Sequence, residues 1–102
     1  MTTSIRYQGR PTQVPTKDPN AVIRYGIDWS DYLGTEQILS SGWIAEGAIV
    51  IESDSHDTTS TSVLLSGGTS GTRYKVTNRI TYTGTGGNET DDRTIIVPVR
   101  EL

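Results

Sequence analysis

The stretch that decides the fold is Leu65-Ser66-Gly67-Gly68-Thr69-Ser70-Gly71-Thr72-Arg73-Tyr74-Lys75-Val76-Thr77-Asn78-Arg79-Ile80. It begins at the end of one strand and continues through a glycine-rich turn. A second strand then opens at Tyr74 and places every other side chain inward as far as Tyr82, since side chains of a strand alternate between two faces. The stretch therefore predicts two neighbouring strands that meet at a tight corner, with one face of the second strand buried.

Further strands flank this corner at intervals of roughly 8–12 residues. Alternation predicts one from Ile23 to Trp29, and weaker patterns predict others over residues 36–46 and 48–52. The polar run from Ser53 to Ser62 predicts a turn. A tyrosine that leads an alternating strand after a tight turn is typical of the E–F corner of an immunoglobulin-like sandwich. We therefore predict an all-β, immunoglobulin-like β-sandwich of about seven strands.

The last strand and the one helical segment are also marked in the sequence. Arg93 to Arg100 predicts a strand, and Pro98 within it indicates an edge or a bulge because proline donates no backbone hydrogen bond. Residues 29–34 predict a single helical turn, capped by Asp28 or Ser30 and ended by Gly34 in a left-handed conformation.

The predicted core takes the larger inward side chains of these strands. Leu39, Ser41, Trp43 and Ala45 are expected to share one face, which makes Trp43 the best candidate for the large aromatic residue at the centre. The full set of predicted core residues is Trp29, Trp43, Tyr74, Val76 and Ile80.

Residues 1–20 predict an extended N-terminal arm, and residues 21–102 the sandwich domain. The arm holds three of the four prolines and has a net charge of +2, whereas the rest of the chain has a net charge of −5. We expect residues 1–16 of this arm to become ordered only on a partner surface, as a strand added to a neighbour's exposed edge. Its predicted partner-binding residues are Ile5, Arg6, Tyr7, Arg10 and Val14.

Composition narrows the class of protein. The chain has 102 residues, which fits one domain, and only 32% of them are hydrophobic, which suits a thin two-sheet core. It has no cysteine, so no disulfide or thiolate chemistry is available. The sequence shows no membrane-spanning run and no leader, so we expect synthesis and retention in a cytoplasm-like compartment.

No pattern of residues predicts an active site. His56 is the only histidine and lies in a polar segment between Asp54 and Asp57, which predicts a solvated turn rather than a catalytic or metal-binding group. Asp28 and Asp31 are better explained as capping residues, and the glycines lie between strands rather than before a helix. We therefore expect no catalytic residues, no cofactor and no metal. Because the domain is acidic, we expect no nucleic-acid partner either.

Several strings of residues resemble a family of short tailed-phage proteins, the phage fiber-tail adaptor proteins, over roughly residues 17–100. The strings are Lys17-Asp18-Pro19-Asn20-Ala21, Tyr25-Gly26-Ile27-Asp28-Trp29-Ser30-Asp31-Tyr32-Leu33, Leu64-Leu65-Ser66-Gly67-Gly68-Thr69-Ser70-Gly71, Val76-Thr77-Asn78-Arg79-Ile80-Thr81 and Thr90-Asp91-Asp92-Arg93. The resemblance implies a non-enzymatic virion component that is made in the cytoplasm of a bacterial host, joins tail and fibre, contacts other virion proteins and is present in several copies. It brings no catalytic residues.

Two other functions remain open at this point. One is a capsid-decorating or head–tail joining protein, and the other is a free carbohydrate- or protein-binding module that uses its loops. Aromatic side chains at the loop tips would favour the free binding module. The predicted loops 54–59 and 83–88 are poor in aromatic residues apart from Tyr82 at a strand end, which favours an assembly role.

Overall fold

The computed structural model describes the backbone of residues 2–6 and both the backbone and the side chains of residues 12–102. The described chain is all-β apart from one helical turn, and it forms two sheets that pack as a β-sandwich. The elements are β1 (Thr2–Arg6), β2 (Thr12–Gln13), β3 (Ile23–Asp28), α1 (Ser30–Leu33), β4 (Ile38–Ala45), β5 (Ile49–His56), β6 (Ser60–Gly67), β7 (Thr72–Tyr82) and β8 (Glu89–Val99).

The two sheets each contain four of the described strands. The first sheet has the order β1-β3-β6-β5 and the second has the order β2-β8-β7-β4. The pairs β3–β6, β5–β6, β4–β7 and β7–β8 are antiparallel, whereas β1 and β2 pair in parallel with β3 and β8. Because β3 and β4 lie in different sheets, the short helix α1 lies where the chain crosses between the sheets.

The core lies between the two sheets and is built from alternate side chains of the central strands. Tyr74, Val76, Asn78, Ile80 and Tyr82 of β7 are all buried, as their spacing predicts. At the start of this strand, the Tyr74 hydroxyl accepts a hydrogen bond of 2.8 Å from the backbone N–H of Thr69. The tyrosine thereby fixes the glycine-rich corner that precedes it.

Trp29, rather than Trp43, is the tryptophan at the centre of the core. Trp29 is completely buried, whereas Trp43 is only partly buried at the margin. The expected common face of β4 also fails at Leu39, which is exposed, because the pairing of β4 with β7 shifts register between Ile38 and Ser40. The bulge turns Ile38 inward in place of Leu39.

The polar run 53–62 is not a continuous turn. Strand β5 continues to His56, and β6 begins at Ser60, so only three residues form the hairpin between them. Strand β5 is the edge of the first sheet, and its second half is exposed on both faces. Because neither face of this half is buried, its side chains need not alternate between apolar and polar. The sequence therefore gives no sign that the strand continues.

The expectation that residues 1–16 are held only by a partner is wrong for the part of the segment that the structure describes. The backbone of β1 pairs with β3 over five residues, and β2 pairs with β8. Val14, predicted to bind a partner, is 3% exposed within the core of its own domain. An uncovered sheet edge is available on each side of the sandwich, and the segment pairs with both edges instead of extending into solvent.

Lys17 fixes this N-terminal segment to the domain. Its backbone N–H donates to the carbonyl of Pro98 and its own carbonyl accepts from the N–H of Arg100. The buried side chain turns inward, and Nζ donates to the carbonyl oxygens of Gly67 and Asp18 at 2.8 and 2.9 Å. Burial lowers the pKa of the ammonium group, although the neighbouring Asp18 opposes the shift. One side chain thus connects the segment to the end of β6.

Candidate functional site

The helical turn α1 begins with a local hydrogen-bond motif. Oδ1 of Asp28 accepts hydrogen bonds from the backbone N–H of Ser30 at 2.9 Å and from its hydroxyl at 2.6 Å. Gly34 ends the turn with a φ of 61° and a ψ of −112°, so its φ is positive but the backbone does not adopt the left-handed helical conformation predicted for it. This explains the sequence Asp-Trp-Ser-Asp locally: the aspartate caps the turn while the tryptophan beside it enters the core.

Asn78 is a buried polar centre beneath this turn. Its Oδ1 accepts hydrogen bonds from Trp29 Nε1 at 3.0 Å and Thr61 Oγ1 at 2.8 Å. Its Nδ2 donates to Ser41 Oγ and to the carbonyl of Gly42, each at 2.9 Å. The amide therefore uses both donors and accepts two bonds, which is the full set that it can form.

Three aromatic rings extend from this centre toward the surface. Trp29 and Tyr32 contact edge to face with centroids 5.7 Å apart, and Tyr32 and Tyr82 do the same at 5.7 Å. The hydroxyls of Tyr32 and Tyr82 lie 2.8 Å apart, and Tyr82 donates to Glu89 Oε1 at 3.0 Å. The hydrogen bond with Tyr32, burial and the nearby Glu89 raise the pKa of Tyr82, so its phenol stays neutral at physiological pH.

Arg93 of β8 covers the outer side of these rings. Its guanidinium carbon lies 5.1 Å from the centroid of Trp29 and 4.7 Å from that of Tyr32, within the range of a cation–π interaction. Nη1 of Arg93 also forms an ion pair of 2.8 Å with Asp91 Oδ1. The Tyr32 cluster, defined as Trp29, Tyr32, Tyr82, Asp91 and Arg93, therefore joins α1 to the second sheet.

The sequence alone did not predict that these residues meet. Trp29 and Tyr32 are three positions apart, a spacing that brings side chains together on a helical turn. Tyr82 and Glu89 are directly opposite in the β7–β8 register. The sequence does not predict this register, because the loop at residues 83–88 has no tight-turn pattern that would fix which residues of β7 and β8 are opposite each other.

Negative charge accumulates around the same end of the sandwich. Asp31 is exposed on α1, and Asp92 is exposed on β8, where both of its carboxylate oxygens bind Arg79 at 2.8 and 2.9 Å. This double hydrogen bond lowers the pKa of Asp92. The hairpin between β5 and β6 also carries Asp57, whose Oδ1 accepts from the N–H groups of Thr59 and Ser60 at 2.9 and 2.7 Å.

Only one of the predicted partner-binding residues, Val14, has a described side chain, and it is buried at the second sheet. Ile5 and Arg6 are described as the backbone of β1, where Arg6 is opposite Asp28 in the pairing register. Tyr7 and Arg10 lie outside the described residues. Partner binding is therefore wrong for Val14 and stays a prediction for the other four residues.

The one histidine of the sequence, His56, is the last residue of β5. His56 is exposed, and its Nδ1 lies 3.0 Å from the carbonyl oxygen of the next residue. Within residues 12–102, no group of three or more His, Cys, Asp and Glu side chains is arranged to hold a metal ion. No helix in the described chain has the length and apolar character needed to cross a membrane.

Comparison with known proteins gives one family. The model of the family described as "Podophage GP4 fiber-tail adaptor protein gp77" matches residues 17–98, which include Lys17, Asn78 and the whole Tyr32 cluster. No curated protein matches the chain.

Among solved structures, the chain is similar to a cysteine protease inhibitor, EhICP2, from Entamoeba histolytica. The likeness covers 97% of this chain and 95% of the inhibitor, with 13% identity and a TM-score of 0.45. A likeness at that level carries no argument about function.

Proposed function

Because the chain belongs to the podophage GP4 fiber-tail adaptor family, we propose that it is a non-enzymatic structural component of the virion that joins tail and fibre components. The family supports a structural role in the tail. The proposal adds that the protein contacts other tail or fibre proteins and further copies of itself, and that it acts without a cofactor, nucleic acid or membrane.

We also propose that the sandwich is immunoglobulin-like. The strand orders β3-β6-β5 and β8-β7-β4 are compatible with the B-E-D and G-F-C orders of that fold. The hydrogen bond from the Thr69 N–H to the Tyr74 hydroxyl corresponds to a tyrosine corner. Both observations support the proposal independently of any sequence resemblance.

The observation that carries the proposed adaptor role is the Tyr32 cluster. It brings together two of the strings through which the sequence resembles the family, from α1 and β8, and Tyr82 directly follows a third string on β7. Buried residues of these strings hold the sandwich together, but Tyr32 is 38% exposed at the outer end of the cluster. Hydrogen bonding and Arg93 fix the ring in place, so little side-chain freedom would be lost when a partner covers it.

We therefore propose that the tail or fibre contact lies at Tyr32 and its exposed neighbour Asp31. Aromatic residues combined with charge are typical of the energetically important centre of a protein interface. The acidic surroundings favour a partner surface that presents Lys or Arg.

The experiment is incorporation into phage particles. A phage that lacks the wild-type copy is supplied with Tyr32→Ala, and purified particles are analysed by mass spectrometry for this protein and for the fibre. We expect particles with little of either component. Val22→Ala is the matched control, because Val22 is also an exposed large side chain, at 56%, and it lies away from the cluster.

Thermal unfolding of both variants separates a lost contact from a lost fold. Normal incorporation of a folded Tyr32→Ala protein would show that the contact is elsewhere. A wild-type protein that is absent from purified particles would contradict the virion role itself.

A further inference from the structure

Strand β4 is an edge of the second sheet, and its first residue, Ile38, donates its backbone N–H to the carbonyl of Thr58 in the hairpin between β5 and β6. It pairs with β7 on one side, and no described strand pairs with its other side. Its sequence, Ile-Leu-Ser-Ser-Gly-Trp-Ile-Ala, contains neither a charged residue nor proline over eight positions. Proteins usually protect such an edge with a charge, a proline or a covering segment, because its free backbone groups invite another strand.

The other edges of the described sheets are protected in these ways. Strand β5, the far edge of the first sheet, carries Glu52, Asp54 and His56. Strand β2 is only two residues long, and β1 ends in Arg6. Strand β4 is thus exceptional among the edges that the structure describes.

The outer face of β4 also has a shape that can receive a neighbour. Ile44 is 62% exposed there, which is unusual for an isoleucine in a strand. At Gly42, two residues earlier on the same face, a Cβ atom would meet nothing within 4 Å. The gap opens into a depression of about 320 Å³ that is lined by Ser40, Gly42, Ile44, Arg79 and Thr81 among others.

We infer that β4 pairs antiparallel with β4 of a second copy of this chain. An antiparallel pair of identical strands is related by a twofold axis, so the same surface serves both copies. With Gly42 on the axis, Ile44 of each copy is opposite Ser40 of the other and next to the gap at Gly42. The two second sheets then form one continuous sheet.

The occupant is a second copy because Ile44 and the gap at Gly42 lie on the same face of each strand and a self-pair of β4 brings no like charges together. Identical strands normally bring like charges together, as β5 would with Glu52 and Asp54, and this destabilises the pair. In β4 no charge is present to repel. The ion pair of Arg79 and Asp92 on the adjacent strands satisfies the nearest charges within each copy.

This inference names the surface for the contact between copies that the proposed function includes. It rests on that part of the proposal only, because the pairing is a property of the isolated protein. If β4 does not pair with β4 of a second copy, the proposed tail and fibre role is unaffected. If the protein is absent from virions, the proposed pairing is unaffected.

The first test is sedimentation equilibrium of the purified protein. We expect a monomer–dimer equilibrium for the wild type, a shift to monomer for Ile44→Lys and an unchanged equilibrium for Val50→Lys. Val50 is the matched control, because it is 50% exposed on β5, the corresponding edge of the other sheet. A monomeric wild type at every concentration, an open-ended aggregate, or an equal effect of the two lysines would overturn the inference.

The second test fixes the register by cross-linking. The chain has no cysteine, so Gly42→Cys introduces a single thiol at the proposed twofold axis, where opposite Cα atoms are about 4.5–5.5 Å apart. That separation suits a disulfide. We expect Gly42→Cys to form a covalent dimer on mild oxidation much faster than Val50→Cys. Equal rates for the two variants would contradict the pairing of β4 with β4.

Discussion

The indole Nε1 of Trp29 donates a hydrogen bond of 3.0 Å to Oδ1 of Asn78 in the middle of the sandwich. Trp29 follows the last residue of β3 in the first sheet, and Asn78 lies on β7 in the second. Thr61 on β6 donates to the same oxygen. A single buried amide thus connects the two sheets by polar contacts as well as by packing.

We predict that Asn78→Leu, which keeps the size of the side chain but not its hydrogen bonds, destabilises the domain by roughly 2–5 kcal/mol. The indole N–H, the Thr61 hydroxyl and the Gly42 carbonyl would each lose a buried partner. Urea unfolding measures the change. Asn88→Leu in the exposed loop is the control, with an expected change within about 0.5 kcal/mol. Equal stability of the two variants would contradict the proposed importance of the amide.

The two tryptophans should respond differently to replacement by phenylalanine. Trp29→Phe removes the hydrogen bond to Asn78 and leaves a cavity, with an expected loss of roughly 2–3 kcal/mol. The Nε1 of Trp43 is buried and has no hydrogen-bond partner among the described residues. Trp43→Phe removes that unsatisfied group, so we expect a change near zero or a slight gain in stability. Denaturant unfolding of both variants decides the matter, and a larger loss at Trp43 would reverse the assignment of the central tryptophan.

Gly67→Ala should destabilise the domain more than Gly71→Ala. Both glycines have a positive φ, at 77° and 90°, so alanine is strained at either position by about 1–2 kcal/mol. At Gly67 the new Cβ would also lie 2.6 Å from the carbonyl oxygen of Ala48, whereas at Gly71 nothing lies within 4 Å. The difference between the two melting temperatures therefore measures the clash alone. Identical melting temperatures would show that the backbone at Gly67 relaxes enough to relieve the clash with Ala48 at no measurable cost.

Stability should depend on the charge of Asp57 in acid. Hydrogen bonds from the backbone of Thr59 and Ser60 lower the pKa of Asp57 below its ordinary value of 3.8. The folded state therefore favours the charged form, and this contribution is present above pH 3.8 and is lost as the pH falls through the lower folded pKa. We expect Asp57→Asn to be less stable than the wild type by about 0.5–1 kcal/mol at pH 7, a small value because the carboxylate is exposed. Unfolding is measured from pH 7 to pH 2, and the difference in stability between the variant and the wild type should shrink as the pH falls. A difference that stays constant would exclude the charge of Asp57 as its cause.

The sequence predicted the parts of the fold whose side chains alternate between core and solvent. Strand β7 alternates over its whole length, so its inward residues, including Asn78, could be identified in advance. The partners of Asn78 could not, because Trp29 and Thr61 reach it from the other sheet. Strand β5 was predicted too short because an exposed edge strand requires no apolar residues. The Tyr32 cluster depends on a hairpin register that no local pattern encodes.

Pro98 marks an irregularity in β8 that the sequence predicted, although the sequence did not predict which segment pairs with the strand there. Its position in β8 predicted an edge or a bulge. In the structure, the backbone N–H groups of Val14 and Lys17 donate to the carbonyls of Ile96 and Pro98. Three steps along the N-terminal segment thus match two along β8, so the segment contains one extra residue between these two hydrogen bonds. The sequence indicated the irregularity but not that the N-terminal segment provides it.

The pairing of β2 with β8 also affects the order in which the native hydrogen bonds form during folding. Gln13 is synthesised early, yet its strand partner, Ile96, leaves the ribosome only after every other strand of both sheets. Contacts between such distant residues form slowly because a long loop must close first. We therefore expect the beginning of this chain to be among the last parts to acquire its native hydrogen bonds. During that interval the edge of β8 is open to any other extended segment, including the same segment of a sister chain.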